Sequence, residues 1–579
     1  MKLPKLILLI VILGIVLRFV KIGEIPYGFD GDEAAFGYYG YSLLTNLSDE
    51  YGNKLPLFFP SIGDYKYPVY AYLTTLPVAI FGLSEFSSRF ISASAGTLLI
   101  VITYFITQRL FSSKKISFTA AFLVAISPYG IMFSRGAFES NLATLWIALG
   151  VWMLFEYSEA KRLKYLFLSG VLFVLSFFTY SATRVFIPAF IIFFGIHLMF
   201  DKKLKVGNKR NYLIFSLLLI LVVSLAFLDP RSRVRALDIS IFGNYKISEN
   251  IRQSIWEDGI SIPGNVFLTR IFHNKVLAHS YLAFKGYLAH FAPTYLFAES
   301  NPLIFKYSIP GVGLFYFFEF ATFLLGIVAL TKSGKSKSIY ILALWIFLSP
   351  LASALTIETP NPIRALSVFP ALEILSATGL IYLLNVPKYK TAKVFVSLIV
   401  GLIVLGNFFY FYHQYFIHDK YHEPWNTDGG MRKLVASVGK YENKYQKVII
   451  PDDPYIFFLF YNKVSPDEFI KEAKLEKVEI GKWEYVNEFK KLVFKMPTNC
   501  PKIGRLQMLY VCKGVEIPQN SIVLDVIRFS DGVPAYTLIE FVPYSQRKNA
   551  TLPEGLNYMV DTDLAYDEGL LPQESERYW

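Results

Sequence analysis

Residues 1–44 read MKLPKLILLIVILGIVLRFVKIGEIPYGFDGDEAAFGYYGYSLL and decide the fold class. The first twenty residues place lysines before an apolar core, which is the layout of a secretion signal. A small-residue cleavage site is missing before the acidic stretch that follows, so the segment predicts a retained first transmembrane helix. Three carboxylates, Asp30, Asp32 and Glu33, come directly after it. Because carboxylates are costly beside lipid, we expect them to face a protein cavity or water.

The composition of the 579-residue chain points to the same class. Apolar residues make up 54% and aromatic residues 17%, whereas only 18% are charged, which is far from the average of soluble domains. The 57 basic and 45 acidic residues give a formal net charge of +12. Basic residues in a membrane protein mark topology, so this charge does not indicate nucleic-acid binding. The sequence predicts a multi-pass protein of the cell membrane.

Apolar runs long enough to cross a bilayer, about 17 to 25 residues, recur along the first two-thirds of the chain. They predict an all-α bundle of about eleven transmembrane helices. These lie near 5–21, 89–111, 117–133, 142–157, 165–181, 185–200, 211–228, 309–331, 339–356, 366–384 and 394–412. The domain boundaries that follow are a membrane domain at 1–412 and a soluble domain at 413–579.

Basic residues gather in five alternate loops of this arrangement. They are Arg109/Lys114/Lys115, Lys161/Arg162/Lys164, Lys202/Lys203/Lys205/Lys209/Arg210, Lys332/Lys335/Lys337 and Lys388/Lys390/Lys393. The positive-inside rule puts these loops and the N-terminus in the cytoplasm. The outer face then receives the long loops 22–88 and 229–308 and everything after residue 412.

After residue 412 the long apolar runs stop and short strand-like segments begin. They are KVII at 447–450, KLVFKM at 491–496, IVLDVIRF at 522–529 and AYTLIEFV at 535–542. With turn and helix signals between them, they predict an extracytoplasmic α/β domain. Cys500 and Cys512 lie in this domain, twelve residues apart. We expect an oxidised pair if the compartment permits it, with two buried thiols as the alternative.

Polar groups also gather at short stretches between apolar runs on the predicted outer face. Arg135 and Glu139 are four residues apart, an interval that places two residues on one face of a helix. The other sets are Tyr180 with Arg184, at the same interval, and Glu358 with Asn361 and Arg364. Any one set alone is typical of a helix end. Together they predict a lined cavity on one membrane face.

At these residues the sequence resembles the polytopic GT-C type glycosyltransferases that take a sugar from a polyprenyl-phosphate carrier. That family includes the protein O-mannosyltransferases and the lipid A aminoarabinose transferases. The resemblance begins at Asp32-Glu33, continues through YKYPVYAYLTTLPVAIFGLSEFSSRF at 65–90, and resumes at SPYGIMFSRGAFES at 127–140. Tyr67 stands where the aminoarabinose branch tends to have a second proline, and Glu139 where others have aspartate.

The resemblance implies transfer of a sugar to an acceptor hydroxyl on a lipid, glycan or protein, with inversion at the anomeric carbon. A polyprenyl phosphate is a good leaving group, so the site needs one carboxylate base. Asp32 is the candidate base, and Glu33 would hydrogen-bond the sugar or orient a neighbour. Lys66, Arg135 and Arg364 are the candidates to bind the donor phosphate. Candidate sugar or substrate contacts are Glu139, Tyr65, Tyr67, Tyr180 and Arg184.

No cofactor is expected, although a divalent cation remains an alternative. The spacing of Asp30 and Asp32 suits a cation that bridges phosphates. Cationic side chains can neutralise the single donor phosphate instead, so we expect metal independence. The plainest interpretation of these acids is that Asp30 or Asp32 caps a helix. A metal-dependent oligosaccharyltransferase-like enzyme is the nearest enzymatic alternative.

Two alternatives come from other functional classes. A transporter or lipid flippase would carry ionisable groups near the membrane midplane and an internal repeat. The sequence shows no clear repeat, and its acids lie at predicted outer helix ends. A scaffold for cell-envelope assembly would leave the outer polar groups unexplained. The sugar, the acceptor and the length of the lipid carrier stay open.

Overall fold

The computed structural model describes residues 4–542 apart from several short segments. The residues outside the description are 1–3, 62–63, 201–205, 227, 230–238, 262–265, 300–307, 452–453, 479–482, 497–499, 502–503, 515–516, 519–520 and 543–579. Three predicted features therefore lie partly outside the described residues. They are the outer loop 229–308, the basic loop with Lys202, Lys203 and Lys205, and the soluble domain 413–579.

The described helices are α1 Lys5–Phe19, α2 Gly31–Asn46, α3 Pro68–Phe81, α4 Glu85–Phe111, α5 Lys114–Ile126, α6 Pro128–Arg135, α7 Glu139–Ala160, α8 Leu163–Phe177, α9 Thr183–Phe200 and α10 Val206–Ala226. The next are α11 Tyr245–Ser261, α12 Val266–Phe272, α13 Lys275–Ala289, α14 Pro293–Phe297, α15 Glu319–Lys332, α16 Ser336–Leu348 and α17 Leu351–Ala354. The last are α18 Phe369–Asn385, α19 Lys390–His413, α20 Met431–Tyr441, α21 Tyr455–Tyr461 and α22 Pro466–Glu472.

The described strands are β1 Phe59–Ser61, β2 Asp64–Lys66, β3 Lys447–Pro451, β4 Ala473–Val478, β5 Trp483–Phe489, β6 Leu492–Met496, β7 Met508–Lys513, β8 Ser521–Arg528 and β9 Pro534–Phe541. β1 and β2 pair with each other, and the other seven form one sheet in the order β4-β5-β6-β3-β7-β9-β8. β3 lies at the centre and is parallel to both β6 and β7, whereas the outer pairs are antiparallel.

Two compact units divide the chain. The helical unit comprises Met1–Pro26, Leu57–Phe59 and Tyr65–Asp419, and the sheet unit comprises Tyr27–Pro56, Pro60–Asp64 and Lys420–Trp579. The division differs from the predicted boundary at 412/413, because the first part of the predicted outer loop 22–88 folds with the C-terminal segment.

Within the described residues of the helical unit, six helical segments are long and apolar enough to cross a membrane. They are Glu85–Phe111, Thr183–Phe200, Gly207–Ala226, Ser336–Ala354, Leu366–Asn385 and Lys390–Tyr421. α5 and α6 make a seventh if this pair, bent by 49°, is one span. The protein is therefore a multi-pass membrane protein. Every predicted span overlaps a described helix, but the span predicted at 309–331 becomes helical only from Glu319. The count of eleven stays a prediction.

A fully buried arginine holds the first helix of this unit in place. Arg18, in the last turn of α1, donates to the carbonyls of Val124 and Ala125 at 2.8 and 2.9 Å and to the hydroxyl of Ser134 at 3.3 Å. These acceptors lie at the end of α5 and in α6. Because a buried carbonyl needs a donor, Arg18 ties three helices together near the break between α5 and α6.

The sheet unit contains the predicted α/β arrangement. The four strand-like segments of the sequence appear as β3, β6, β8 and β9, whereas β4, β5 and β7 were not predicted. Cys500 and Cys512 form a disulfide, which confirms the expected pairing. Cys512 lies in β7 and is buried in a cluster with Tyr510, Ile539 and Phe541.

α2 packs inside the sheet unit although it lies more than 400 residues before the strands that follow α21. The hydroxyl of Tyr38 donates to the carbonyl of Val464 at 3.1 Å, and the ring centroids of Phe29 and Phe460 are 4.9 Å apart. The side-chain amide of Asn46 donates to Asp467 at 2.7 Å. The segment that carries the candidate base is thus part of the sheet unit.

Candidate functional site

The acidic turn at the start of α2 is organised by the backbone of the helix. Asp30 is the N-cap, with extended dihedrals, and its Oδ1 accepts from the N–H of Asp32 at 2.8 Å. In return, Glu33 Oε2 accepts from the N–H of Asp30 at 3.2 Å. This reciprocal pair is a capping box, which satisfies two donors that a helix N-terminus otherwise leaves unpaired. The predicted N-cap role of Asp30 is confirmed.

Asp32 occupies a different position in the same turn. Its backbone is bound by Asp30, but its carboxylate is not a member of the capping box, and its side chain is half-buried. A carboxylate in the first turn of a helix is favoured by the positive end of the helix dipole. The catalytic roles of Asp32 and Glu33 stay predictions.

A further acid, Asp428, contacts this turn from a distant part of the chain, and it was not predicted from the sequence. Its Oδ2 accepts from the N–H of Gly31 at 3.3 Å. The TDGG sequence at 427–430 is a turn signal, but no pattern in the chain connects it to a residue 397 positions earlier.

A second missed acid, Glu50, lies deeper in the sheet unit. It is fully buried, and its Oε1 accepts from the hydroxyl of Tyr455 at 2.8 Å. The hydroxyl of Tyr455 is also 3.2 Å from that of Tyr51. Burial raises the pKa of the Glu50 carboxyl well above its usual range. Glu50 therefore fixes the end of the first loop in its own unit.

In the helical unit, Lys66 ends β2 and is only 4% exposed. Tyr67 follows as the N-cap residue of α3, with Pro68 at the first helical position, where its missing N–H costs nothing. The guanidinium carbon of Arg184 lies 4.3 Å from the centroid of the Tyr67 ring. The structure thus brings together Tyr67 and Arg184, and Tyr65 lies half-buried in β2.

The predicted pairing of Arg135 and Glu139 on one helix face is wrong. α6 ends at Arg135 and α7 begins at Glu139, so the two residues belong to different helices. The backbone between them is extended at Gly136, with φ −94° and ψ 165°. Glu139 is half-buried in the first turn of α7, where the helix dipole favours an acid.

The guanidinium of Arg135 contacts the C-terminal end of α1 and the chain after it. It is fully buried and donates to the carbonyls of Leu17, Val20 and Ile25 at 2.8, 2.8 and 3.0 Å. Its guanidinium carbon lies 4.9 Å from the ring centroid of Phe416. These contacts describe a brace of the first helix, and the phosphate-binding role predicted for Arg135 stays a prediction.

Tyr180 and Arg364 line one small pocket of the helical unit, with a cavity of about 10 Å³. Ser140, Thr144 and Thr183 contribute to its lining. Tyr180 precedes α9, which begins at Thr183, so the predicted helical interval between Tyr180 and Arg184 does not put them on one helix.

Arg364 has partners from its own short loop. It forms an ion pair with Glu358 at 3.0 Å and donates to the hydroxyl of Thr356 at 2.8 Å. Asn361 Oδ1 accepts from the backbone N–H groups of Ile363 and Arg364. The predicted set of Glu358, Asn361 and Arg364 is therefore one interconnected loop.

The described residues offer little to a resident divalent cation. Among them there is no group of three or more His, Cys, Asp or Glu side chains placed to hold a metal ion. The Asp30 carboxylate, one of the two possible ligands, is engaged in the capping box. Metal independence stays a prediction, because a cation held by one or two carboxylates and the donor phosphate needs no such group.

Part of the helical unit matches a known protein family. Residues 65–227 match the family model described as dolichyl-phosphate-mannose-protein mannosyltransferase. An uncharacterized protein of Aquifex aeolicus (strain VF5) is 26% identical over 149 residues, which are 26% of this chain and 30% of that protein.

Two solved structures are similar over most of the chain. The apo crystal structure of ArnT from Cupriavidus metallidurans is 12% identical with a TM-score of 0.50, over 92% of this chain and 97% of that chain. AglB, an archaeal oligosaccharyltransferase from Archaeoglobus fulgidus solved with an inhibitory peptide and a dolichol-phosphate, is 14% identical with a TM-score of 0.48. That match covers 79% of this chain and 63% of AglB. The predicted resemblance to the GT-C type glycosyltransferases is confirmed, with the chain sharing the ArnT fold.

Proposed function

We propose that the protein is a membrane glycosyltransferase that moves a sugar from a polyprenyl-phosphate donor to an acceptor hydroxyl, with inversion at the anomeric carbon. The observation that carries this proposal is the family match over residues 65–227. The description of that family names a sugar carried on a lipid phosphate. The matched segment also contains most of the predicted substrate-binding residues, including Lys66 and Arg184.

Asp32 is the proposed base that takes the proton of the acceptor hydroxyl as its oxygen attacks the anomeric carbon. Asp30 and Glu33 each have an oxygen bound to a backbone N–H of the capping box, which gives these two acids a structural role. Asp32 is half-buried at the second helical position of the same turn. In this proposal Glu33 orients the turn rather than exchanging a proton.

Lys66 and Arg364 are the proposed groups that stabilise the departing phosphate, which gains negative charge in the transition state. Lys66 is almost fully buried, so solvent screens its charge little. Glu358, the partner of Arg364, is 59% exposed, and an ion pair of this kind contributes about 0–1 kcal/mol. A phosphate can therefore replace Glu358 at little cost. In this proposal Arg135 has a structural role and stabilises the position of α1.

The sugar is assigned to the pocket lined by Tyr180 and Arg364. Its cavity of about 10 Å³ is roughly the space of one water molecule, so in this proposal the pocket widens when it takes a sugar ring. Serine and threonine hydroxyls in its lining suit the hydroxyls of a sugar. Tyr67 and Arg184, stacked on each other, and Tyr65 and Glu139 are proposed to contact the substrate elsewhere in the helical unit.

Incubation of the purified protein with labelled polyprenyl-phosphate sugars tests the proposed reaction. Label should leave the donor and appear in an extracted lipid, glycan or protein fraction, and a chelator should not change the rate. Loss of transfer in chelator, with recovery in Mn²⁺ or Mg²⁺, would favour the metal-dependent oligosaccharyltransferase-like alternative. Movement of intact donor lipid across the membrane without transfer would favour a flippase.

The proposed location of the reaction is the outer membrane face. Single cysteines placed in residues 239–261, in 420–441 and at Lys209 can be labelled in intact cells with a reagent that does not cross the membrane. The basic inner loops predict labelling in the first two segments and protection at Lys209. The reverse pattern would invert the topology and put the proposed site in the cytoplasm.

A further inference from the structure

Two loops of the sheet unit, far apart in sequence, approach each other backbone to backbone. They are residues 27–31, which carry the acidic turn, and residues 424–430, which we name the clasp loop. Gly28 has φ +83°, and a Cβ added to it would lie 2.7 Å from the Cβ of Thr427. A Cβ added at Gly429 would lie 2.6 Å from the ring of Tyr27. A side chain at Gly28 would meet the backbone of the clasp loop, and a side chain at Gly429 would meet the Tyr27 ring of the other loop as well as the Pro424 carbonyl of its own.

Asp428 connects the clasp loop to the first residue of α2. Its backbone is left-handed, with φ 51° and ψ 33°, a region in which Asp is enriched among non-glycine residues. Its Oδ2 accepts the N–H of Gly31, a group with no acceptor inside the helix. A carboxylate at this position also stabilises the positive end of the helix dipole.

The other side of the acidic turn is anchored by Phe29. This side chain is 2% exposed, and its ring centroid is 4.9 Å from that of Phe460 and 6.2 Å from that of Tyr461, both in α21. The turn is therefore held by an aromatic contact before the N-cap and, after it, by the hydrogen bond that the Gly31 N–H donates to Asp428. Both anchors come from the C-terminal part of the chain.

We infer that the clasp loop positions the catalytic base, with Asp428 as the positioning residue that fixes Gly31 and hence the direction of the neighbouring Asp32 carboxylate. The inference rests on the proposed role of Asp32. A base must lie within hydrogen-bond reach of the proton it removes, and a displacement of about 1 Å can lower a rate by about 100-fold. It gives the C-terminal domain a role in the reaction without giving it a substrate contact.

Four variants of the full-length protein in detergent test this inference. Gly429→Ala pushes the loops apart, Asp428→Ala removes the acceptor, and Asp428→Asn keeps an acceptor oxygen. Gly439→Ala is the matched control, because this glycine is exposed in α20 and an added Cβ meets nothing within 4 Å. The readouts are hydrogen–deuterium exchange of the peptide covering 27–33 and turnover divided by the amount of bound donor.

We expect Gly429→Ala and Asp428→Ala to speed exchange in this peptide and to lower turnover per bound donor by about 10- to 100-fold. The KM for the donor should change little, and Asp428→Asn and Gly439→Ala should stay within a few-fold of the unmodified protein. This combination separates positioning from a general loss of folded protein, because only molecules that bind donor are counted.

Unchanged exchange in Gly429→Ala and Asp428→Ala would show that the clasp loop does not hold the acidic turn in place, whatever the activity of the two proteins. Faster exchange with normal turnover would overturn the positioning role, as would an Asp428→Asn protein as slow as Asp428→Ala. If the unmodified protein transfers no sugar, the proposed function fails, and the exchange of the 27–33 peptide still decides whether the clasp exists.

Discussion

The turn at Asp30–Glu33 and the turn at Arg135–Glu139 carry the same signal in the sequence, charged residues at the end of a helix. In the first turn, two acids bind backbone N–H groups in a capping box and a third, Asp32, lies outside it. In the second turn, the cation binds three backbone carbonyls and is fully buried.

The difference shows that a charged side chain at a helix end has two possible uses. It can complete the hydrogen bonds of the backbone, or it can act on a ligand. Hydrogen bonds in the structure identify the side chains that bind the backbone. This leaves fewer candidates for the side chains that act on a ligand. The contacts of Arg135 are of the first kind, and Asp32 stays the proposed base.

The largest effect is expected from Asp32→Asn. Asparagine keeps the size and hydrogen bonding of aspartate but cannot accept the proton, so turnover should fall by about 10²- to 10⁴-fold while donor binding persists. Glu33→Gln should have a smaller effect and Asp30→Asn the smallest, because asparagine is also a good N-cap. Transfer assays normalised to folded protein decide the ranking. Near-normal transfer by Asp32→Asn would contradict the proposed role of Asp32 as the base.

Lys66→Ala tests a cation that is proposed to stabilise the departing phosphate. Loss of one preorganised charge should lower donor use by about 10- to 1,000-fold. The rate is measured with labelled donor at saturating acceptor. An activity within twofold of the unmodified protein would remove Lys66 from the site.

Arg135→Gln should affect folding more than chemistry. Buried carbonyls that lose their donor cost about 1–3 kcal/mol, so the melting temperature should fall while turnover per bound donor is largely kept. Arg109→Gln is the control, since Arg109 is 40% exposed and its ion pair with Glu156 contributes about 0–1 kcal/mol. A stable Arg135→Gln protein that no longer binds donor would return Arg135 to the phosphate site.

Glu50 adds a buried acid to the comparison, one whose hydrogen bond to Tyr455 lies within the sheet unit. We expect its ionisation to give the stability of the protein a small dependence on pH. Burial raises its folded pKa above the ordinary value of 4.5. The stability that this shift contributes is present below pH 4.5 and is lost as the pH rises through the folded pKa.

The melting temperature of the unmodified protein should therefore fall more between pH 5 and pH 8 than that of Glu50→Gln, which cannot ionise. Thermal unfolding of both proteins at the two pH values measures the difference. Equal slopes would mean that Glu50 is already ionised in the folded protein.

The apolar helices of the helical unit and four of the seven strands of the sheet could be predicted because their patterns are local. β8 and β9 are rich in Val, Ile and Leu and follow the sequence signal of strands. β4, AKLEKV, is the edge strand, where charged residues are tolerated, and β5, WEYVNEF, is the strand next to it; both carry charges along their length. Because apolar and polar residues alternate only weakly in β4 and β5, the sequence did not predict these two strands.

The site was predictable only where a short stretch determines the geometry. An acid just before a helical segment is enough to predict a cap at Asp30 or Asp32, and the structure has it at Asp30. The link from Asp428 to Gly31 depends on tertiary folding across 397 residues. The separation of Arg135 from Glu139 depends on an extended backbone at Gly136, which interrupts an otherwise helical interval.

The central claim is that a single carboxylate acts in a single displacement, because the other two acids of the turn hold the backbone. The anomeric configuration of the product tests it most directly. Purified protein is given a polyprenyl-phosphate sugar of known configuration, and the new glycosidic linkage is assigned by NMR. The account predicts inversion, the outcome of one displacement assisted by one base. Retention would contradict it, since retention requires a second carboxylate that attacks the sugar and forms a covalent intermediate.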